Sequence, residues 1–233
     1  MDIGRILYDL SMIAVPVILA ITFHEAAHGF VAWKLGDDTA WQLGRVSFNP
    51  IRHIDPVGTV ILPALMYFTT PFVFGWAKPV PVNFARLGNP KRDMVWVALA
   101  GPAINIVLAL LSAFLVPAMA GLPQPAYSWA VRALLTSVEI NVVLAVFNML
   151  PIPPLDGGRV AVGLLPRPLA IRLAGMEREG MALLMLVFLI LPAVGSQIGA
   201  ELDLFSTLVA PVAGGIANGI CALAGVHTRF GGY

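Results

Sequence analysis

Leu10-Ser11-Met12-Ile13-Ala14-Val15-Pro16-Val17-Ile18-Leu19-Ala20-Ile21-Thr22-Phe23-His24-Glu25-Ala26-Ala27-His28-Gly29-Phe30-Val31-Ala32-Trp33 is the heart of an apolar stretch that runs from about Ile6. As a helix it is long enough to cross the ~30 Å hydrocarbon core of a bilayer. It nevertheless carries His24, Glu25 and His28. Residues i and i+4 share a helix face, so both imidazoles can hold one metal ion. Glu25 is rotated by about 100° on the same turn and can reach a metal-bound water. Polar groups at membrane depth are costly and persist mostly where they have a partner or a task. This stretch therefore predicts a membrane helix with a metal site built into it.

The rest of the composition agrees. The chain has 233 residues, 58% of them hydrophobic and only 12% charged, with a mean hydropathy of +0.85. A soluble domain of this length needs far more polar surface, so the class is an all-α polytopic membrane protein. The net charge of +1 and the absence of a basic cluster interleaved with aromatics give no indication of nucleic-acid binding. The single cysteine, Cys221, cannot form an internal disulfide and reads as helix packing. The first apolar run has the look of a signal peptide, but no small-residue cleavage site follows, and processing there would cut the chain beside His24. We expect a single membrane domain over residues 1–233, with room for about six spans.

Working outward, further apolar stretches run from Met94 to Met119, Ala126 to Leu150, Met181 to Val194 and Phe205 to Ala224. Met181–Val194 is short and needs either Glu177–Gly180 or the residues after Pro192 to complete a span. That makes five or six membrane segments, depending on Val57–Phe74, which prolines and threonines interrupt. Two segments read as strands: Gly44–Phe48, which partly alternates polar and apolar, and Lys78–Phe84, whose prolines suit an edge strand. A small β element at the membrane face is expected from them, with its edge as a clamp for an unwound peptide.

Charge decides the topology. If Val57–Phe74 enters the membrane and returns, the face reached at the end of the first helix holds 12 of the 14 basic residues, leaving Arg5 and Arg132 opposite. If it crosses, the split becomes 4 against 10. The positive-inside rule prefers a re-entrant segment and makes the 12-residue face cytoplasmic. Re-entrant backbone is tolerated where it is buried in protein or lines water.

A metal site needs a third protein ligand, with a fourth position left open if zinc is to activate a water. The candidates are Asp156, Glu139, Asp55 and His53. In Asn148-Met149-Leu150-Pro151-Ile152-Pro153-Pro154-Leu155-Asp156-Gly157-Gly158 the prolines stop a helix and hold an extended stretch at its end. With a re-entrant segment, Asp156 arrives at the face nearer His24 and His28, whereas a full crossing sends it to the opposite one. Depth thus favours Asp156.

At these residues the chain resembles the site-2 proteases, intramembrane zinc metalloproteases. The resemblance rests on His24–His28 with Gly36-Asp37 downstream, and on the Asn148–Gly157 signature. It also rests on Gly44-Arg45…Asn49-Pro50…His53-Ile54-Asp55-Pro56…Gly58-Thr59, on Gly75–Asn83, and on Ala100-Gly101-Pro102-Ala103-Ile104-Asn105. It spans most of the first 160 residues and is of a compact form without PDZ-like or CBS-like domains. It implies one Zn2+ per chain, held by His24, His28 and Asp156, with Glu25 as general base. It implies that Asn148 helps bind or polarise the scissile carbonyl. It further implies substrates that are membrane proteins with a transmembrane helix, and a multi-pass protein of a bacterial or archaeal cell membrane whose site opens to the cytoplasm. With no sensing domain, recognition rests on the membrane core, on a separate regulatory partner or on a second copy of the chain.

Other polar residues read as structural. Glu139 fits a hydrogen-bonded group facing the bundle, and Asn105 and Asn141 fit glue between helices. His53 and Asp55 fit a structured turn, His227 a solvated tail, and Trp33 and Trp76 interfacial anchors.

Overall fold

Where the helices of this molecule cross, the side chains are small; where they face outward, the side chains are large and apolar. The computed structural model describes residues 3–61, 75, 77–199 and 202–230. Among these, five helical stretches are long and apolar enough to span a membrane: the Leu10–Lys34 part of α1 (Ile3–Lys34), a stretch beginning with α2 (Pro90–Leu115), α3 (Ala126–Asn148), α6 (Glu177–Gly195) and α7 (Phe205–Leu223). The short helices α4 (Asp156–Leu164) and α5 (Arg167–Ala174) lie between α3 and α6. Both expected completions occur: the sixth helix begins at Glu177 and continues past Pro192.

Helix α2 is central and packs on α1, α3 and α4, while α7 lies against α3. The largest core is built of Ala109, Ala113, Val138, Val142, Ala213, Ala217, Ile220 and Cys221. Leu111, Phe114, Leu115 and Val212 are exposed on the same helices, and Leu19 on α1. This distribution suits lipid, which supplies no hydrophobic drive between helices, so close backbone approach through small residues must hold the bundle together. Cys221 is fully buried in that core, as its apolar setting predicts.

Helix starts are locally encoded. The Asn89 side chain accepts from the Arg92 N–H, Asp93 accepts in return from the Asn89 N–H, and Pro90 occupies the first turn. That reciprocal cap fixes where α2 begins. Its start is tied to the end of α1 by the Gly88 N–H donating to Leu35 O at 3.1 Å, and to the end of α4 by Lys91 Nζ donating to Leu165 O at 2.7 Å. At the opposite end, Trp129 Nε1 donates to Ser11 Oγ at 2.9 Å. Helices α1, α2 and α3 therefore alternate in direction, and the N-terminus of α2 shares a face with the C-terminus of α1.

The segment Val57–Phe74 lies beyond Ile61 outside the described residues, as does Trp76. Its flanks are described. The Lys78 N–H donates to His53 O at 2.9 Å, so the chain leaves and regains one place. A single crossing would part those flanks by about 30 Å.

The expected β element is corrected. Among the described residues there is no strand. Gly44–Phe48 and Lys78–Asn83 run irregularly, and their polar groups are engaged elsewhere: Lys78 N–H with His53 O, Val80 N–H with Glu25, and the carbonyls of Lys78 and Pro79 with the Arg45 guanidinium. Pro79 and Pro81 have no N–H to offer. The two segments are joined by an arginine side chain and not by a ladder, which also removes most of the proposed peptide clamp.

Candidate metal centre

His24 and His28 lie one turn apart on the buried face of α1, with 7% and 5% of their surface exposed. Their ring orientations are set by their Nδ1 atoms. Nδ1–H of His28 donates to Val97 O at 2.7 Å, and Nδ1–H of His24 donates to Asn105 Oδ1 at 2.6 Å. Both acceptors belong to α2. A neutral imidazole so engaged presents a bare Nε2, the usual arrangement for a metal-binding histidine.

Asp156 arrives from the other side at the first residue of α4. Pro151, Pro153 and Pro154 end α3 and keep the following residues out of a helix. The loop then folds back so tightly that a Cβ at Gly157 would strike Met149 O and Leu150 O, and one at Gly158 would lie 2.5 Å from Pro153 N. Two glycines are thus what allow Asp156 to turn into the bundle.

Nε2 of His24, Nε2 of His28 and Oδ2 of Asp156 form a nearly equilateral triangle, with separations of 3.0, 3.1 and 3.2 Å. Tetrahedral coordination with bonds of about 2.0–2.1 Å places ligand atoms about 3.3 Å apart. Oδ2 is buried and accepts no hydrogen bond. With both imidazoles neutral and their Nδ1–H groups turned to α2, three lone pairs converge, an arrangement that a cation would join. The triad is the group of histidine and acidic residues among the described residues that can hold a metal ion. A cradle for it exists on α2. A Cβ at Gly101 would lie 2.6 Å from His24 Nε2 and collide with His28 Nε2. The residues present fit a divalent metal.

Glu25 is partly buried on α1, and its Oε2 accepts from the Val80 N–H at 2.8 Å. The carboxylate is thus held beside the histidine pair by the segment that follows Gly75. The other sequence-derived candidates make their described contacts elsewhere. Asn148 ends α3, and its amide donates to Leu144 O within its own helix. Glu139 lines a small cavity with Phe205, Ala213 and Phe230 on the α7 side. His53 is buried, its Nε2–H donating to Ser47 O, and Asp55 accepts from the Val57 and Gly58 N–H groups. The last two form the structured turn that their prolines suggest.

Sequence reasoning missed Asn105 and gave Gly101 no role of its own. Asn105 is not merely glue between helices, because it bonds His24 directly. The signal available was its spacing: four residues after Gly101 puts it on the face of α2 that meets α1.

Comparison with known proteins points the same way. The model of Peptidase family M50 matches residues 119–192. Relatives that carry the name "Putative zinc metalloprotease" include the following three. YwhC of Bacillus subtilis is 33% identical over 88% of this chain and 97% of its own length. Rip2 of Mycolicibacterium smegmatis is 33% identical over 60% of this chain and 52% of its own length. MJ0611 of Methanocaldococcus jannaschii is 30% identical over 66% of this chain and 70% of its own. No solved structure matches the chain at a significant level.

Proposed function

Because this chain belongs to peptidase family M50, the site-2 protease family, we propose that it is a zinc metalloprotease that hydrolyses peptide bonds in or near transmembrane helices of membrane proteins. The observation that carries this reading is the convergence of three metal-ligating atoms beside a carboxylate, inside an apolar bundle.

His24, His28 and Asp156 would hold the metal. Zinc in such a site supplies a Lewis acid and lowers the pKa of a water towards neutrality. Glu25 takes the proton of the attacking water and passes it to the leaving amine. Its bond from the Val80 N–H orients the carboxylate and engages Oε2, leaving Oε1 for that task. Asn148, at the end of α3 and eight residues before Asp156, binds or polarises the scissile carbonyl. A substrate helix hides its carbonyls in internal hydrogen bonds, so it must unwind locally before attack.

The protein resides in a membrane by virtue of the five apolar helices among its described residues, with the face carrying Lys34, Lys91 and Arg92 in the cytoplasm. Its macromolecular partners are single-span substrates and the bilayer, with regulation by a separate protein or a second copy.

The test uses the full chain in detergent with candidate single-span substrates. Wild type should contain about one zinc per chain and cut. Glu25→Gln should keep the zinc and lose cleavage by at least about 100-fold, the scale of general-base catalysis. Cleavage by Glu25→Gln near the wild-type rate removes Glu25 from the chemistry, and metal flux into liposomes without proteolysis would make the protein a transporter.

A further inference from the structure

Beyond its metal ligands, the bundle contains a run of buried polar side chains that begins at His24 and ends in α3. Asn105 is fully buried and Asn141 nearly so. Asn105 Oδ1 accepts from His24 Nδ1–H. Its Nδ2 donates to Ala20 O at 3.3 Å and to Asn141 Oδ1 at 2.8 Å. Asn141 Nδ2 donates in turn to Ser137 O at 2.9 Å, and the Ser137 hydroxyl meets that of Ser112 at 2.8 Å.

The direction of this run is not free. Ala20 O and Ser137 O are backbone carbonyls and can only accept. Turning Asn141 over would set its NH2 against that of Asn105 and its carbonyl against Ser137 O. Turning Asn105 over would set its carbonyl against Ala20 O and against Asn141 Oδ1, and its NH2 against His24. Both flips leave buried groups unpaired, which is costly.

We propose that Asn141 is a positioning residue for the metal centre: anchored on Ser137 O, it orients Asn105, and Asn105 holds His24 in the Nδ1–H tautomer that bares Nε2. Helix α3 thereby sets the tautomer of a ligand on α1 without touching the metal. This rests on the metal reading above, since the bared Nε2 matters only if a cation binds it.

The experiment uses purified full-length chain in detergent. Zinc affinity is measured by chelator competition, and the His24 tautomer by 15N NMR on metal-free protein. Asn105→Leu should weaken zinc binding by about 10–100-fold, the usual effect of losing such a partner, and Asn141→Leu by about tenfold. Asn105→Asp should keep zinc affinity close to wild type, because a carboxylate offers His24 an acceptor in either orientation, while lowering stability, because its other oxygen meets those of Ala20 and Asn141. For the same reason Asn141→Leu should have no further effect in the Asn105→Asp background. A purely structural role predicts equal losses in both backgrounds, and that result overturns the proposal. So does Asn105→Leu binding zinc as wild type does. The Asn141 pair remains informative if Asn105→Leu does not fold. Should wild type bind no zinc, the metal reading fails, and the tautomer decides the relay alone: Nδ1–H in wild type and a shift towards Nε2–H in Asn141→Leu support it, an unchanged tautomer overturns it.

Discussion

A Cβ added at Gly101 lies 2.6 Å from His24 Nε2, so α2 can pass the donor triangle only with hydrogen in that position. Gly101→Ala should therefore empty the site while sparing the fold, since alanine favours a helix interior more than glycine. Metal analysis and thermal unfolding of the metal-free protein check this together; undiminished zinc in the variant would show that the cradle lies elsewhere. The acidic residues separate in the same assay. Asp156→Ala should lower zinc occupancy sharply, because it removes one of three donors. Glu139→Ala should leave occupancy intact, because Glu139 faces the α7 side. Equal metal loss from the two would exchange their roles.

Elements are held to the site by groups far from the ligands in sequence. Asp37 is fully buried. One of its oxygens accepts from the Thr39 N–H at 3.1 Å and the other from the Asn83 N–H at 2.6 Å. It pins the end of the segment whose Val80 N–H holds Glu25. Asp37→Ala leaves those donors without their partner, a cost of about 1–3 kcal/mol for each one that stays buried. Zinc content should persist, since no ligand moves, whereas proteolysis should fall and hydrogen exchange at Asn83 and Val80 should quicken. Unchanged exchange at both amides would show that the segment is held by other contacts. Read alone, Lys78–Phe84 resembles an edge strand because β-branched residues alternate with prolines. Against a ladder stand the two prolines and the engagement of Lys78 N–H by His53, Val80 N–H by Glu25, Asn83 N–H by Asp37 and the Lys78 and Pro79 carbonyls by Arg45.

For the molecule as a whole, the shared face of the α1 C-terminus and the α2 N-terminus predicts a labelling pattern. In a Cys221→Ser background, single cysteines at Trp41, Arg92 and Gln124 sit at exposed positions. An impermeant thiol reagent on intact cells should label position 124 and spare 41 and 92. Labelling at 92 with protection at 41 would place the two on opposite faces and undo the account of how Asp156 meets the histidines. Labelling at both with protection at 124 would keep the fold and reverse its orientation.

The amino-acid sequence alone determined the membrane class, the apolar spans and the three residues that the fold brings together as candidate ligands. These follow from local patterns: apolar run length against bilayer thickness, the i, i+4 spacing of His24 and His28, and prolines that stop α3 ahead of Asp156. Charge asymmetry adds an expectation for the topology, since it sums over the chain and needs no contact information. Only the tertiary structure decided what surrounds the ligands. Asn105 and Asn141 look alike in sequence to any polar residue that glues helices. Whether an amide oxygen faces a histidine or a lipid-side neighbour depends on helix rotation and depth, which no run of residues encodes by itself. The same holds for Gly101, whose need to be glycine arises from side chains on another helix, more than 70 residues away in the chain. Sequence periodicity reports which way a side chain leaves its own helix; what it meets there is settled when the helices pack.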